Sequence, residues 1–258
     1  MTDPHRAASA GPGADELLDE QVAYYRARAP VYDDWWEGRG SYLRSPGLAA
    51  AWRAERDGLE DDLRAWAAGL AGASVLELAA GTGNLTRLVA PHAARVTAVD
   101  TSPEALSINR AKLGRHAGRV GLVRADLFAW EPARAFDAVL FGFWISHVPP
   151  GRWERFWTLV RRSLRPGGRL WFCDNAHPRL AWVAGVLPRQ DGRIMRGDGA
   201  VDLETGVHLR SLPDGRSFRV VKRFPEPADL ERDLAARGLE VQVGTTEWAF
   251  VLGRGRRS

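Results

Sequence analysis

A glycine-rich turn carries the residues whose types and spacing point most directly to chemistry. It runs from Glu77 through Leu-Ala-Ala to Gly81, Thr82 and Gly83, directly after an apolar segment typical of a β-strand. A turn of this kind between a strand and a helix lets backbone N–H groups approach a polar ligand closely. Thr86 stands where a dinucleotide site has its third glycine, and no Gly-Lys-Ser/Thr sequence follows, which excludes a Walker loop. The turn therefore predicts a nucleotide-like ligand and leaves its class open.

Two acidic residues stand at the ends of the next two predicted strands. Asp100 lies 17 residues after Gly83 and is followed by Thr101, at a place where a carboxylate can accept hydrogen bonds from ribose hydroxyls. Asp126 ends the third strand and is followed by Leu127. There a carboxylate can accept from the exocyclic amine of adenine while the apolar neighbour covers the ring. The second acidic position therefore favours an adenosine-containing ligand.

The elements that must hold these residues alternate between strand and helix patterns. Apolar runs of strand length occur at residues 74–79, 95–99, 120–124, 136–141 and 169–173. Helical patterns occur at 17–34, 46–69, 102–113, 151–164 and 227–238. The pattern also predicts a hairpin at 207–224 and a last pair of strands at 239–243 and 248–252. This alternation predicts an α/β fold with a mostly parallel sheet, covered on both faces, that binds ligands at the carboxyl ends of its strands.

We expect one domain behind a disordered N-terminal tail. The tail is expected over residues 1–16 and the domain over residues 17–258. The domain divides into a helical lid, a ligand-binding core, a cap insertion over the substrate, and a closing helix with strands. Their expected bounds are 17–72, 73–175, 176–225 and 226–254.

The composition excludes several classes of function. The chain has 258 residues, of which 45% are hydrophobic, and its apolar runs are far shorter than the ~18–20 residues of a membrane-spanning helix. A single cysteine cannot form an internal disulfide, and the six histidines lack metal-ligand spacing, so we expect no metal. The net charge is only +4 and the arginines are dispersed along the chain, which is typical of ordinary surface charge. We therefore expect neither a nucleic-acid nor a membrane partner. With no secretory signal at its N-terminus, the protein is expected in the cytoplasm.

Five motifs in sequence order resemble those of the class I S-adenosylmethionine-dependent methyltransferases. They are Glu77-x-x-x-Gly81-Thr82-Gly83, Asp100, Ala125-Asp126-Leu127, Phe136-Asp137-Ala138-Val139 and Leu164-Arg165-Pro166-Gly167-Gly168. The resemblance implies an enzyme with a Rossmann-like, doubly wound sheet of seven strands, mostly parallel with an antiparallel last strand. It also implies an N-terminal helical lid, an inserted hairpin cap, and S-adenosyl-L-methionine as the cofactor. The cofactor-binding residues that it implies are Tyr25, Glu77, Gly81, Thr82, Gly83, Asp100, Thr101, Asp126, Leu127 and Phe143.

Three further stretches look like bacterial small-molecule methyltransferases, and in particular like the phosphonate O-methyltransferases of dehydrophos-type biosynthesis. They are residues 24–33, 143–149 and 209–222. In those enzymes an arginine and a lysine matching Arg210 and Lys222 are implicated in holding the anionic substrate. The resemblance thus implies catalytic roles for His147, Arg210 and Lys222, and substrate contacts from these three residues and from Tyr42. This chain is longer at 40–66 and 176–206, so the substrate itself does not transfer.

The hairpin gives separate support for one of these assignments. If Pro213-Asp214-Gly215 is a three-residue connection, Arg210 and Lys222 have the same parity and point to one face. Two cations over one pocket suit a phosphonate, phosphate or carboxylate. The alternative is a solvated hairpin with ordinary surface charges.

Several alternatives stay open at the level of sequence. His147 is either a general base for an acceptor hydroxyl or a residue that orients an acceptor already ionised. The expected reaction is O-methylation of a small anionic or polar metabolite in secondary metabolism, by a monomer or homodimer. The alternative reaction is carbon or nitrogen methylation of an aromatic or quinone-like metabolite. From another class, the chain could be a noncatalytic regulator that binds S-adenosylmethionine.

Overall fold

The fold centres on a seven-stranded sheet in a computed structural model that describes residues 12–39, 46–185, 193–196, 199–202 and 205–258. Its strands are β1 (Ser74–Leu78), β2 (Arg95–Asp100), β3 (Val120–Arg124), β4 (Phe136–Gly142), β5 (Leu164–Asn175), β10 (Leu239–Thr245) and β11 (Phe250–Arg257). They lie in the order β3-β2-β1-β4-β5-β11-β10. The pairings among β1 to β5 are parallel, whereas β11 runs antiparallel to both of its neighbours. The predicted α/β class, with a mostly parallel sheet and an antiparallel last strand, is confirmed.

Eight α-helices accompany the strands over the described residues. They are α1 (Pro12–Arg28), α2 (Tyr32–Trp36), α3 (Pro46–Ala68), α4 (Thr86–Val89), α5 (Pro103–Lys112), α6 (Pro150–Ser163), α7 (Arg179–Val183) and α8 (Pro227–Ala236). Short 3-10 turns occupy Ala29–Val31, Gly114–Arg119 and Ile145–His147. At α5 the sequence signals operate as expected, since the Ser102 hydroxyl caps the helix by accepting from the Ala105 N–H at 3.0 Å.

Hydrophobic cores cover both faces of the sheet. One contains Val75 and Leu140 of the central strands, together with the tryptophan-rich face of α3. The other contains Leu76 and Phe141 of the same strands, together with the aromatic stripe of α6 and the apolar face of α8. Alternate residues of one strand thus enter opposite cores, as a sheet buried on both sides requires. Burial on both faces fixes the strand ends that carry the predicted site.

The cap is a four-stranded sheet rather than the single hairpin that the sequence predicted. Its strands are β6 (Arg193–Arg196), β7 (Gly199–Asp202), β8 (Val207–Ser211) and β9 (Ser217–Val221), in that order and antiparallel. The first two strands have only four residues each, too few to show a period in a Gly- and Asp-rich stretch. The connection between β8 and β9 has three residues, which is the condition under which the sequence places Arg210 and Lys222 on one face. The Leu212 N–H bonds to the Arg216 carbonyl, and Gly215 has φ +88°.

Two boundaries at the ends of the chain differ from the prediction. Residues 12–16, expected in the disordered tail, belong to α1, where Asp15 forms an ion pair with Arg152 of α6. The last strand runs to Arg257 rather than ending at Leu252. Its Gly-Arg-Gly sequence resembles a loop, but the Cα of Gly253 packs so closely on the Phe172 ring that a side chain there would overlap it. Tertiary packing therefore keeps these glycines in the strand.

No helix in the described part of the chain is long and apolar enough to cross a bilayer. Among the same residues, no group of three or more His, Cys, Asp or Glu side chains could hold a metal ion.

The close packing of the last strand predicts a large penalty for one added methyl group. A Cβ at Gly255 would overlap the Glu240 carbonyl oxygen on the neighbouring strand, whereas a Cβ at Gly244 would meet nothing within 4 Å. We expect Gly255→Ala to lower the free energy of unfolding by about 3 kcal/mol, because backbone must move to relieve the overlap. We expect Gly244→Ala to change it by less than about 0.5 kcal/mol. Urea denaturation measures both, and equal stabilities would contradict the assigned pairing of β10 with β11.

Candidate functional site

A cleft of about 300 Å³ lies at the carboxyl ends of β1, β2, β3 and β4. This is where parallel α/β sheets bind ligands, and the volume is at the lower end for a small-molecule site. Loops after these strands form its floor, and α1 with the start of α2 covers it. The sequence-predicted residues in its wall are Tyr25, Gly81, Thr82, Asp100, Thr101, Asp126, Leu127, Phe143 and His147.

The glycine turn owes its shape to two left-handed residues. Gly81 has φ +52° and Gly83 has φ +85°, a region that residues with side chains rarely adopt. A Cβ at Gly81 would meet nothing within 4 Å, in keeping with its place in the cleft wall. A Cβ at Gly83 would overlap the Asn109 side chain of α5. Gly83 therefore lets the turn pack on α5. It is not among the residues that line the cleft, and its ligand contact stays a prediction.

Asp100 fastens the glycine turn to the neighbouring strand end. One carboxylate oxygen accepts from the Gly81 N–H and the other from the Ser102 N–H, both at 2.8 Å. Burial raises the pKa of Asp100, and these backbone donors oppose the rise. Because each carboxylate oxygen has two lone pairs, Asp100 can also accept from hydroxyls of a ligand in the cleft.

The residues predicted to bind adenine lie side by side in the cleft wall. Asp126 accepts from the Phe128 N–H at 2.9 Å, which fixes its carboxylate beside Leu127. Asp126, Leu127 and Phe128 all line the cleft. A carboxylate between apolar surfaces can bind an amine while the side chains beside it cover a flat ring.

Backbone strain marks two further positions in the cleft wall. Ala79 has φ +51° and Phe143 has φ +57°, although neither is glycine, and a left-handed conformation costs such residues about 1–2 kcal/mol. The Phe143 ring contacts Trp35 and Trp36 of α2 edge-on, with centroids 5.1 and 5.6 Å apart. The strained turn after β4 thus carries one ring both to the cleft and to the lid. Ala79 was missed at the sequence level, where nothing distinguishes it from any alanine before a glycine turn.

Glu77 lies beneath the glycine turn and is not among the residues that line the cleft, so its contact with the cofactor stays a prediction. It is 1% exposed. Burial raises its pKa to about 8, with hydrogen bonds from Thr86 opposing the shift and the Asp100 charge adding to it. One carboxyl oxygen has no hydrogen-bond partner among the described residues. At neutral pH Glu77 is therefore a protonated, structural group.

Tyr25 and His147 form a hydrogen-bonded pair in the cleft wall. The His147 Nδ1 lies 2.6 Å from the Val221 carbonyl oxygen, which can only accept, so Nδ1 carries the proton. The Tyr25 hydroxyl then donates to Nε2 at 2.7 Å. Burial lowers the pKa of His147 well below its usual value near 6.5, and the neighbouring charges of Lys222 and Arg210 lower it further. The imidazole is therefore neutral, and the lone pair on its Nε2 already accepts the hydrogen bond from Tyr25.

Arg210 and Lys222 lie next to His147 and outside the cleft wall. Both are buried, at 7% and 2% exposed. The Lys222 ammonium donates to Ser146 Oγ at 2.7 Å, Asn175 Oδ1 at 2.9 Å and Asp174 Oδ1 at 3.3 Å. These three protein oxygens use its donors, and its direct contact with substrate stays a prediction. The Arg210 guanidinium lies close enough to influence both Tyr25 and His147.

Gln21 is a site residue that sequence reasoning missed. Its side-chain amide donates to the His147 carbonyl at 3.1 Å and accepts from the Val221 N–H at 3.0 Å. This places one α1 side chain, 3% exposed, between the cap strand β9 and the loop after β4. A lone glutamine in a helical pattern carries no signal of this role. The predicted contact from Tyr42 lies outside the described residues.

The residues present fit an adenosine group with a polar tail. Asp100 presents a carboxylate for vicinal hydroxyls, and Asp126 with Leu127 presents an acceptor and a cover for a purine. Gly81 opens the turn so that its backbone lies against the ligand. The remaining cleft runs toward Tyr25 and His147, where a second small molecule would meet the first.

Comparison with known proteins agrees with this geometry. Residues 75–168 match the methyltransferase domain family. A solved structure titled DhpI-SAM-HEP complex superposes with a TM-score of 0.66 and 34% sequence identity, covering 97% of this chain and all of that one.

Curated relatives match over shorter lengths. The demethylmenaquinone methyltransferase of Tropheryma whipplei (strain Twist) is 40% identical over 46% of this chain and 52% of its own. The trans-aconitate 2-methyltransferase of Streptomyces avermitilis is 38% identical over 39% of this chain and 38% of its own. The chain thus spans about half the length, or less, of these curated relatives.

The buried Glu77 predicts an unusual dependence of stability on pH. Its pKa is about 8 in the folded chain and 4.5 in the unfolded one, so between these values only the folded state binds the proton. Its contribution to stability is therefore complete below pH 4.5 and is lost as the pH rises to 8. Glu77→Gln, which stays neutral, should be similar to the wild type at pH 5 and more stable at pH 8 by on the order of 2–4 kcal/mol.

Urea denaturation across this pH range measures the effect of Glu77→Gln. The matched control is Glu131→Gln, whose carboxylate is exposed and should leave the pH dependence unchanged. Parallel stability curves for wild type and Glu77→Gln would contradict a protonated Glu77.

Proposed function

Because this chain belongs to the class I S-adenosylmethionine-dependent methyltransferases, we propose that it transfers the methyl group to an oxygen of a small metabolite that is already an anion, such as a phosphonate or a carboxylate. When bound, S-adenosylmethionine supplies a methyl group activated by its sulfonium charge, and a C–O bond forms as the C–S bond breaks. The protein's own part is to bind the donor and the acceptor, to orient them toward each other and to exclude water. Asp100, Asp126 and the Gly81 turn would hold the donor, and α1 closes the cleft above it.

The observation that carries this proposal is that His147 resists protonation. It lies at the end of the cleft where the methyl acceptor would bind, which we call the acceptor end. Methylating a neutral hydroxyl requires a base that accepts its proton. His147 is the nearest candidate, but its pKa lies well below the usual range because it is buried beside Lys222 and Arg210. Its Nε2 lone pair also accepts from Tyr25. An acid that is ionised at neutral pH transfers no proton, so it suits this site without a base.

In this account His147 is a positioning residue. Its Nδ1–H is fixed by the Val221 carbonyl, and its Nε2 holds the Tyr25 hydroxyl toward the cleft. The Tyr25 side chain, held in this position, then shapes the acceptor end of the cleft by contact. The general-base role considered from the sequence is the less favourable of its two alternatives.

The charge around this end of the cleft also favours an anion. Lys222 is balanced by the buried carboxylate of Asp174. We assign the electrostatic attraction of substrate to Arg210, whose positive charge lies close enough to influence Tyr25 and His147 in the cleft wall. Lys222 then acts through Ser146, the residue before His147, and so supports the loop that carries the imidazole.

Relatives that are named for their substrates support two acceptor classes. The trans-aconitate 2-methyltransferase is named for a polycarboxylate, in line with the proposal. The demethylmenaquinone methyltransferase is named for a quinone-type acceptor. The second candidate function is therefore methylation of an aromatic or quinone-like metabolite, which the rings of Phe128, Phe143 and Trp144 in the cleft wall favour.

The proposal predicts that neutralising Arg210 weakens anionic acceptors selectively. With small carboxylates and phosphonates as acceptors, Arg210→Gln should raise the acceptor KM at least tenfold, about 1.4 kcal/mol of binding, and leave the KM for S-adenosylmethionine within twofold. The matched control is Arg216→Gln on the same hairpin, whose side chain is exposed and paired with Asp214. It should change neither KM.

Arg210 is buried, so folding is checked by circular dichroism, and Arg210→Lys serves as a second variant that keeps the charge. It should give an intermediate acceptor KM. An unchanged KM for anionic acceptors in folded Arg210→Gln would contradict the role of this guanidinium.

A further inference from the structure

Asp33 of α2 reaches from the lid to the glycine turn. Its Oδ1 accepts from the Thr82 hydroxyl at 2.7 Å and from the Asn84 amide at 3.0 Å. Its Oδ2 is 2.6 Å from the Lys112 ammonium. One lid carboxylate is therefore bonded to both ends of the segment that forms the floor of the donor site.

The core side of this contact is itself connected. Lys112, at the end of α5, also donates to Asn84 Oδ1 at 2.7 Å. Asp33, Asn84 and Lys112 thus close a ring of hydrogen bonds, with Thr82 attached at Asp33. Burial acts to raise the pKa of Asp33, but hydrogen bonds from Lys112 and Thr82 outweigh it and hold the pKa below the usual value. The carboxylate is ionised at neutral pH.

The contact matters because Thr82 lies in the cleft wall between Gly81 and Gly83, which both have positive φ. Glycine has more conformational freedom than any other residue, so this segment depends on its neighbours to keep its conformation. Asp100 holds the Gly81 N–H from one side. On the other side, the side chains of Thr82 and Asn84 have Asp33 as their shared partner. If the lid opens, that carboxylate leaves, and the side chains of Thr82 and Asn84 lose their bonds to it.

Among the described residues, the other ion pairs between lid and core involve neither Thr82 nor Asn84. Arg26 of α1 pairs with Glu104 of α5 at 2.8 Å, but both side chains are more than 40% exposed. A pair of this kind contributes little. Asp33 differs from Arg26 because it bonds directly to the side chains of Thr82 and Asn84 in the glycine turn.

We infer that Asp33 is a positioning residue for the methyl donor, through which closure of the helical lid sets the conformation of the glycine turn. The inference rests on the donor site assigned above and is independent of the acceptor. A closed lid and an ordered turn are then one state, so donor and product both bind to it more tightly than to the open state. Loss of the Asp33 charge should weaken both ligands alike.

The test compares two broken lid contacts in the full-length protein. S-adenosylhomocysteine is the probe, titrated by calorimetry, because it occupies the donor site without turnover. Asp33→Asn should raise its Kd about tenfold, and Lys112→Met, a second variant that removes the same pair from the core side, should raise it at least fivefold. Arg26→Gln, the matched control, should raise it less than twofold.

Amide hydrogen exchange of the ligand-free protein gives a readout that general destabilisation would not produce. In Asp33→Asn, exchange at residues 81–84 should accelerate while strands β4 and β5 keep their protection. An unchanged Kd in Asp33→Asn and Lys112→Met, or an equal loss in Arg26→Gln, would overturn the inference. Because no acceptor is used, failure of the proposed acceptor class leaves this result unaffected.

Discussion

The side-chain amide of Gln21 joins the three parts of the molecule that build the site. It donates to the His147 carbonyl of the core and accepts from the Val221 N–H of the cap, while its own backbone belongs to lid helix α1. His147 in turn donates through Nδ1 to the Val221 carbonyl. Each of these groups is buried, so each would incur a desolvation cost of about 1–3 kcal/mol without its partner. These bonds therefore couple the lid helix, the loop after β4 and the cap at the acceptor end of the cleft.

Lysine is used in this chain where a compact charge must bond several oxygens at once. The sequence has 36 basic residues and only two lysines, which leaves 34 arginines. Lys222 bonds to three acceptors beneath His147, and Lys112 bonds to Asp33 and Asn84 beside the glycine turn. An ammonium donates in rotatable directions, whereas a guanidinium offers a rigid fork. The two lysines thus support the two ends of the cleft, and most of the arginines lie at the surface.

The sequence predicts most of the donor site and little of what supports it. Asp100 and Asp126 follow apolar strand patterns, and the carboxyl ends of parallel strands share one edge, so their meeting in a cleft follows from topology. The parity of the β8–β9 hairpin likewise placed Arg210 and Lys222 on one buried face. The roles of Gln21 and Asp33 depend on contacts between residues far apart in the chain. No local pattern encodes such contacts, and the same holds for the strained backbone at Ala79.

The central claim concerns the acceptor end of the cleft, where the neutral imidazole of His147 is buried beside Lys222 and Arg210. This arrangement favours a substrate that carries a negative charge and has no proton to lose. The direct measurement is formation of S-adenosylhomocysteine from S-adenosylmethionine with matched acceptors, namely small phosphonates and carboxylates against phenols and quinols of similar size. The account predicts turnover with the ionised acids, weakened by added salt as the attraction to Arg210 is screened. Turnover confined to the neutral aromatic acceptors and insensitive to salt would contradict it.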